Sequence, residues 1–219
     1  MKTINKLAGL ILIIIAASAG VFLRTTPEKV QASEEERGSW NLILVNADHK
    51  LPAGYTVNLQ QLSNEQAVDE RIYPDLQMML DAARSADVYP KIVSSFRTTE
   101  EQEKIMEDKI SSFQEKGYAY QKAASEAAKW VAAPGTSEHE AGLAVDINAE
   151  PSASTDKEVY EWLADNAYRY GFILRYPSNK VHITGVDYEP WHFRYVGKKA
   201  AKEITEAGIT LEEYLGQKR

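Results

Sequence analysis

The chain contains no cysteine. That excludes a disulfide framework, a thiol nucleophile, Cys-ligated zinc and a lipoprotein-type Cys anchor. Histidine is scarce as well: His49, His139, His182 and His192 are the four present, so any bound metal must be held by these, by Asp or by Glu. There is no excess of positive charge. Lys plus Arg number 25 against 32 Asp plus Glu, a net charge of −7, and without a basic footprint nucleic acid is not expected as a partner. Hydrophobic residues make up 44% and charged residues 26% of 219 positions. These fractions exclude a disordered or collagen-like chain, and the length suits one domain with an appendage.

The one long apolar run lies at the start. Lys2 and Lys6 precede an uncharged stretch from Leu7 to Leu23. As a helix its 17 residues span about 26 Å, the short edge of a membrane crossing. The two lysines place residues 1–6 in the cytoplasm and the rest outside. Ala17-Ser18-Ala19 resembles a signal-peptide cleavage site, but Val21-Phe22-Leu23 continue the run past it, so residues 7–23 read as an uncleaved signal-anchor. Residues 24–38, polar and rich in Glu, read as a linker. Residues 39–219 read as one domain.

Within that domain Asn41–Asn46 reads as a strand bounded by turn formers, and Pro74–Ser85 has the period of a helix. Lys91–Phe96 reads as a strand. Thr98-Thr99-Glu100-Glu101-Gln102 opens a helix, with Thr as N-cap and Glu or Gln three residues on. Ala119–Trp130 is Ala-rich and helical, Leu143–Ile147 a buried strand, and Asp156–Tyr170 a helix stopped at Gly171. Phe172–Tyr176 and His192–Val196 are further strands, and Lys198–Ala207 and Leu211–Leu215 close the chain as helices. Strands and helices do not alternate regularly. The expected class is therefore α+β, a small and largely antiparallel sheet flanked by helices.

The chemistry concentrates in two segments. In Pro134–Asp146, His139 lies in a Gly-flanked loop and Asp146 inside the apolar strand Leu143–Ile147, where a carboxylate is costly unless paired, turned outward or bound to a cation. In Tyr188–Arg194, Glu189 and His192 stand three apart at a strand entry. His139, Asp146 and His192 make a two-His, one-carboxylate set that would leave a fourth zinc position open. Glu189 is then free to act as a base. The same set suits non-haem iron, and spacing does not select between the metals. Taken singly, each histidine is more often a core or surface residue than a ligand. His49 reads as a solvated turn residue and His182 as a surface one, so neither enters the site. Arg97 is open between an ion pair with Glu100 or Glu101 and a guanidinium aimed at a carbonyl oxygen or carboxylate.

Four segments together carry a resemblance: Ser94–Thr98 with Gln102, Gly135–Asp146, Tyr170–Pro177 and Tyr188–Gly197. They resemble the VanY-type D-alanyl-D-alanine carboxypeptidases, of the zinc peptidase superfamily that also holds VanX-like dipeptidases and hedgehog domains. The likeness runs from about Asn41 to the C-terminus and extends to the anchor and charged linker. It implies one zinc ion held by His139, Asp146 and His192, with Glu189 as catalytic base and acid. It implies that Arg97 stabilises the oxyanion, that Ser137 and Gln102 hold the peptide end, and that Tyr176 borders the pocket. The substrate implied is a peptidoglycan stem pentapeptide ending in D-Ala-D-Ala, cleaved outside the bacterial cell membrane, with a link to glycopeptide resistance. The same motifs fit an L,D-carboxypeptidase trimming tetrapeptides; a zinc-stabilised wall-binding module is a third reading. Phe96 stands where many relatives carry Tyr. The stretch Lys109–Val131 is longer than in some relatives and would reshape the groove wall.

Overall fold

The computed structural model describes residues 30–217. The expected anchor at 7–23 lies outside them; among the described residues no helix is long and apolar enough to cross a membrane. In chain order the elements are α1 (Glu34–Arg37), β1 (Leu59–Gln61), β2 (Ala67–Asp69), α2 (Tyr73–Ser85), β3 (Pro90–Ser94), α3 (Thr99–Glu115) and α4 (Tyr120–Ala127). There follow β4 (Ala144–Ala149), α5 (Asp156–Asn166), β5 (Phe172–Leu174), α6 (Val181–Thr184), β6 (His192–Tyr195), α7 (Lys198–Ala207) and α8 (Leu211–Leu215). The central sheet has the order β3-β4-β6-β5 with every pair antiparallel, and β1-β2 form a separate two-stranded ribbon. The expected α+β class holds.

Alternation along the strands divides the sheet into two faces. Ile92 of β3, Val145 and Ile147 of β4, Phe172 of β5, and Phe193 and Tyr195 of β6 join Leu76, Met79, Val159 and Leu163 of α2 and α5 in the main core. The intervening residues Asp146, His192 and Arg194 therefore point to the other face. Register then sets them side by side: Asp146 pairs across with His192 on β6 and with Ser94 on β3, beyond an irregularity between Ile92 and Ser94.

Helix starts follow local chemistry. Thr98, Thr155 and Thr210 each cap a helix reciprocally with a Glu three residues on, at α3, α5 and α8. The segment 156–170 is helical throughout but tightens to a 3-10 turn at Ala167–Tyr170 before Gly171, whose φ of 88° ends it.

Two expectations need correction. Asn41–Asn46 is not a strand. A 3-10 turn occupies Trp40–Leu42, and the carbonyls of Asn41 and Ile43 accept from the buried Arg194 guanidinium at 3.1 and 2.8 Å instead of from a neighbouring strand. The polar run 24–38 is not all linker. Ala32 is buried in a second core with α7 and α8, its N–H donates to the Tyr214 carbonyl at 2.8 Å, and Ser33 caps α1 through Glu36. The folded unit therefore includes residues before Ser39.

Candidate metal centre and active site

The loop before β4 delivers His139. Glu140 ties that loop by accepting from the N–H of Gly135 at 3.0 and 2.9 Å and of Ser137 at 3.3 Å. Gly142 then turns the chain into β4 at φ 71°, where a Cβ would meet Asp69 N and Val57 at 3.1 Å.

Each histidine is oriented from behind. His139 Nδ1 lies 2.7 Å from the Ser95 carbonyl, which can only accept, so Nδ1 carries the proton and Nε2 faces the site. His192 Nε2 lies 3.3 Å from Glu138 Oε2, which leaves Nδ1 facing the site. These two free nitrogens approach Asp146 Oδ1 at 3.3 and 3.1 Å. The three candidate ligand atoms all lie within 4.8 Å of one another. A tetrahedral zinc site with bonds of about 2.0 Å has ligand–ligand edges of about 3.3 Å.

Asp146 Oδ1 is buried and has no hydrogen-bond partner among the described residues. Burial opposes ionisation of Asp146, yet His139 and His192 outweigh it and hold the carboxyl below its usual range. Burial alone would lower the pKa of His192, but the neighbouring Asp146 and Glu138 carboxylates push it up to about 9. The carboxylates thus call for a positive charge at the point where three acceptor atoms converge. A zinc ion would meet that call in place of the proton. The residues present fit the metal.

Around this centre lies a cleft of about 320 Å³ that includes every residue singled out by sequence: Arg97, Gln102, Ser137, His139, Asp146, Tyr176, Glu189 and His192. Glu189 Oε2 is 3.7 Å from His192 Nδ1, and burial raises its carboxyl to about 7. Arg97 pairs with neither Glu100 nor Glu101. Its Nη2 donates to Asp146 Oδ2 at 3.1 Å, its Nε and Nη2 to Ser94 Oγ, and its Nη1 to Gln102 Oε1 at 3.1 Å. Four of five guanidinium N–H groups are thus engaged, leaving one on Nη1. Gln102 is itself anchored by donating to the Ala132 carbonyl. Ser137 Oγ accepts from the His139 N–H at 3.3 Å, and the Tyr176 ring lies 4.9 Å from the His192 ring. His49 and His182 stay out of the site: the first bonds Asn46, the second is exposed on α6.

Sequence reasoning passed over the layer beneath. Glu138 is fully buried and accepts from Arg175 Nε at 2.7 Å and Arg194 Nη1 at 2.8 Å while its other oxygen holds His192. Arg175 in turn grips Glu212 through two bonds of 2.9 and 2.6 Å. The available signal was an arginine set inside an apolar strand run, Phe172-Ile173-Leu174-Arg175 and His192-Phe193-Arg194-Tyr195. It carries the same argument that singled out Asp146.

Comparison with known proteins agrees with this geometry. Residues 65–198 match the family model VanY: D-alanyl-D-alanine carboxypeptidase. A D-alanyl-D-alanine carboxypeptidase of Enterococcus faecalis is 53% identical over 191 residues, covering 87% of this chain and 70% of that protein. The solved structure of VanYB in complex with D-alanine-D-alanine superposes with a TM-score of 0.81 at 54% identity, over 83% of this chain and 100% of that one. A mutant VanY D,D-pentapeptidase from a VanB-type vancomycin resistance cassette, in complex with Zn(II), has a TM-score of 0.79 at 55% identity, over 81% and 99% of the two chains. With half-identical relatives across most of its length and the metal triad in place, the chain belongs to the VanY family of D-alanyl-D-alanine carboxypeptidases.

Proposed function

We propose that this protein is a zinc-dependent D,D-carboxypeptidase that hydrolyses the last peptide bond of peptidoglycan stem pentapeptides and releases D-alanine. The observation that carries the reading is the convergence of His139 Nε2, Asp146 Oδ1 and His192 Nδ1 beside a buried Glu189 in one cleft. When bound, zinc supplies a Lewis acid that polarises a carbonyl and brings the pKa of a ligated water to about 7.

The chain's own groups do the rest. Glu189 accepts a proton on its carboxylate from the attacking water and returns it to the departing amine; a carboxyl raised towards neutrality suits both transfers. Arg97, clamped by Ser94, Gln102 and Asp146, keeps its remaining Nη1 N–H for the oxygen on which negative charge develops. Ser137 holds the peptide end, and the Tyr176 ring walls the pocket beside His192. Gln102, fully buried and bonded to Arg97 and to the Ala132 carbonyl, positions Arg97 rather than gripping the peptide as the resemblance implied.

The apolar run Leu7–Leu23 behind Lys2 and Lys6 supports an N-terminal anchor, with the domain outside the membrane where stem peptides are presented. Removing terminal D-alanine also removes the D-Ala-D-Ala end that glycopeptides bind, so a contribution to resistance follows from the same activity.

The test incubates the protein with a pentapeptide ending in D-Ala-D-Ala and separately with the tetrapeptide, following free D-alanine with and without a chelator. Release from the pentapeptide that the chelator abolishes is expected. Release from the tetrapeptide alone would move the activity to the L,D class, and no release from either would leave a binding module.

A further inference from the structure

Helix α3 runs away from the metal centre along one wall of the cleft, presenting Gln102, Ile105 and Lys109 to it. These positions are three and four residues apart, hence on one helical face. Gln102 is fixed to the centre through its bond with Arg97. Lys109 lies seven residues further on, a displacement of about 10 Å along the helix axis. That is about three residues of extended peptide.

The Lys109 ammonium is placed by two aromatic rings, Trp130 at 5.4 Å and Phe113 at 5.9 Å. Trp130 lines the cleft with it and is exposed. Arg97, which also lines this cleft, is paired with Asp146. Lys109 forms no ion pair among the described residues, and the adjacent Asp108 is taken by Lys104. A cation held over aromatic faces at the far end of a substrate cleft, with no carboxylate of its own, is suited to an anion supplied by the substrate.

We propose that Lys109 is a specificity-determining residue that binds a carboxylate on the acyl part of the peptide, about three residues from its C-terminal end. The inference rests on the carboxypeptidase reading above, in which the leaving part is a single residue. A contact this far from the peptide end therefore falls on the part that is retained. The fitting chemistry is a glutamate joined through its side chain, which leaves its α-carboxylate free.

The test compares the full chain with Lys109→Met and Lys109→Arg. Two pentapeptides ending in D-Ala-D-Ala are used, identical with lysine at the third position but with a free carboxylate or a carboxamide on the second residue. The wild type should have a KM about fivefold lower for the carboxylate peptide, as a partly exposed ion pair allows. Lys109→Met should raise KM for that peptide to the value for the amide, with kcat unchanged. Lys109→Arg should keep the preference. Turnover of the amide peptide serves as the folding control. Equal KM values for both peptides in the wild type, or an equal change for both in Lys109→Met, would overturn the proposal while leaving the activity established. Failure of the wild type on both peptides would instead overturn the reading on which it rests.

Discussion

Replacing Glu138 separates two tasks that one carboxylate performs. It neutralises the Arg175 and Arg194 guanidiniums, and it holds the proton of His192 on Nε2. Glu138→Ala leaves part of a fully buried cationic cluster without its acceptor. Arg175 keeps Glu212 and Arg194 keeps the Tyr195, Asn41 and Ile43 carbonyls, but the uncompensated charge costs about 3–5 kcal/mol. For a domain of this size that lowers Tm by about 6–20 °C, a large share of the ordinary margin of about 5–15 kcal/mol.

Glu138→Gln is milder for stability and more specific for the centre. The two guanidiniums require an acceptor, so the Gln carbonyl oxygen must take the Oε1 place and its amide N–H₂ must face His192 Nε2. A donor there meets a donor. His192 must then move its proton to Nδ1, the atom that faces Asp146 and would bind the metal. Loss of such support behind a ligand typically costs about 10- to 100-fold in metal affinity. The assay is zinc affinity by competition with a chromophoric chelator, together with thermal melts of the metal-stripped protein. Glu138→Gln should bind zinc at least tenfold more weakly while its stripped form melts closer to wild type than that of Glu138→Ala. Unchanged zinc affinity in Glu138→Gln would refute the tautomer argument.

Other outcomes follow from the same contacts. Arg97→Lys should retain zinc but lose about 10²- to 10³-fold in kcat, since an ammonium cannot hold Ser94, Gln102 and Asp146 and still present an N–H to the substrate; turnover within twofold of wild type would make Arg97 merely structural. Gly171→Ala should destabilise by about 1–3 kcal/mol in urea unfolding, because φ is 88° and a Cβ would lie 2.7 Å from the Tyr195 ring; an unchanged midpoint would mean that the turn relaxes freely. Burial opposes the charge on Glu212, but Arg175 outweighs it and depresses the pKa. The stability this pair supplies is complete above the ordinary carboxylate pKa of about 4.3 and is lost as pH falls through the depressed folded value. The deficit of Glu212→Gln against wild type should therefore be full at pH 7 and shrink under acid, and a deficit that grew as pH fell would contradict the assignment.

Much of this centre could be read from residue types. Asp146 stood out because a carboxylate inside an apolar strand needs a reason, and His139, Glu189 and His192 because together with it they complete a ligand set with a base beside it. Their meeting could not be read, because it depends on the register that sets Asp146 between Ser94 and His192. The helix opening at Thr98 was legible because a capping box is a local signal; the boxes at Thr155 and Thr210 were not read, and their helices were placed without them. The same signal lay in Ser33 and Glu36, and overlooking it made a packed segment look like linker. The ribbon β1-β2 left no pattern because the three residues of β1 are all exposed. Asn41–Asn46 looked like a strand because Leu42, Leu44 and Val45 are buried; its backbone partner is a guanidinium from β6, which no local pattern announces.

The most direct test of the account is to count zinc and measure D-alanine release in the wild type and Glu189→Gln side by side. The account predicts one zinc per chain in both proteins. It also predicts that release from a pentapeptide ending in D-Ala-D-Ala falls by at least about 10²-fold in the variant. Release near the wild-type rate with zinc in place would remove Glu189 from the chemistry. Loss of the metal with the side chain would make Glu189 part of the zinc site rather than the base beside it.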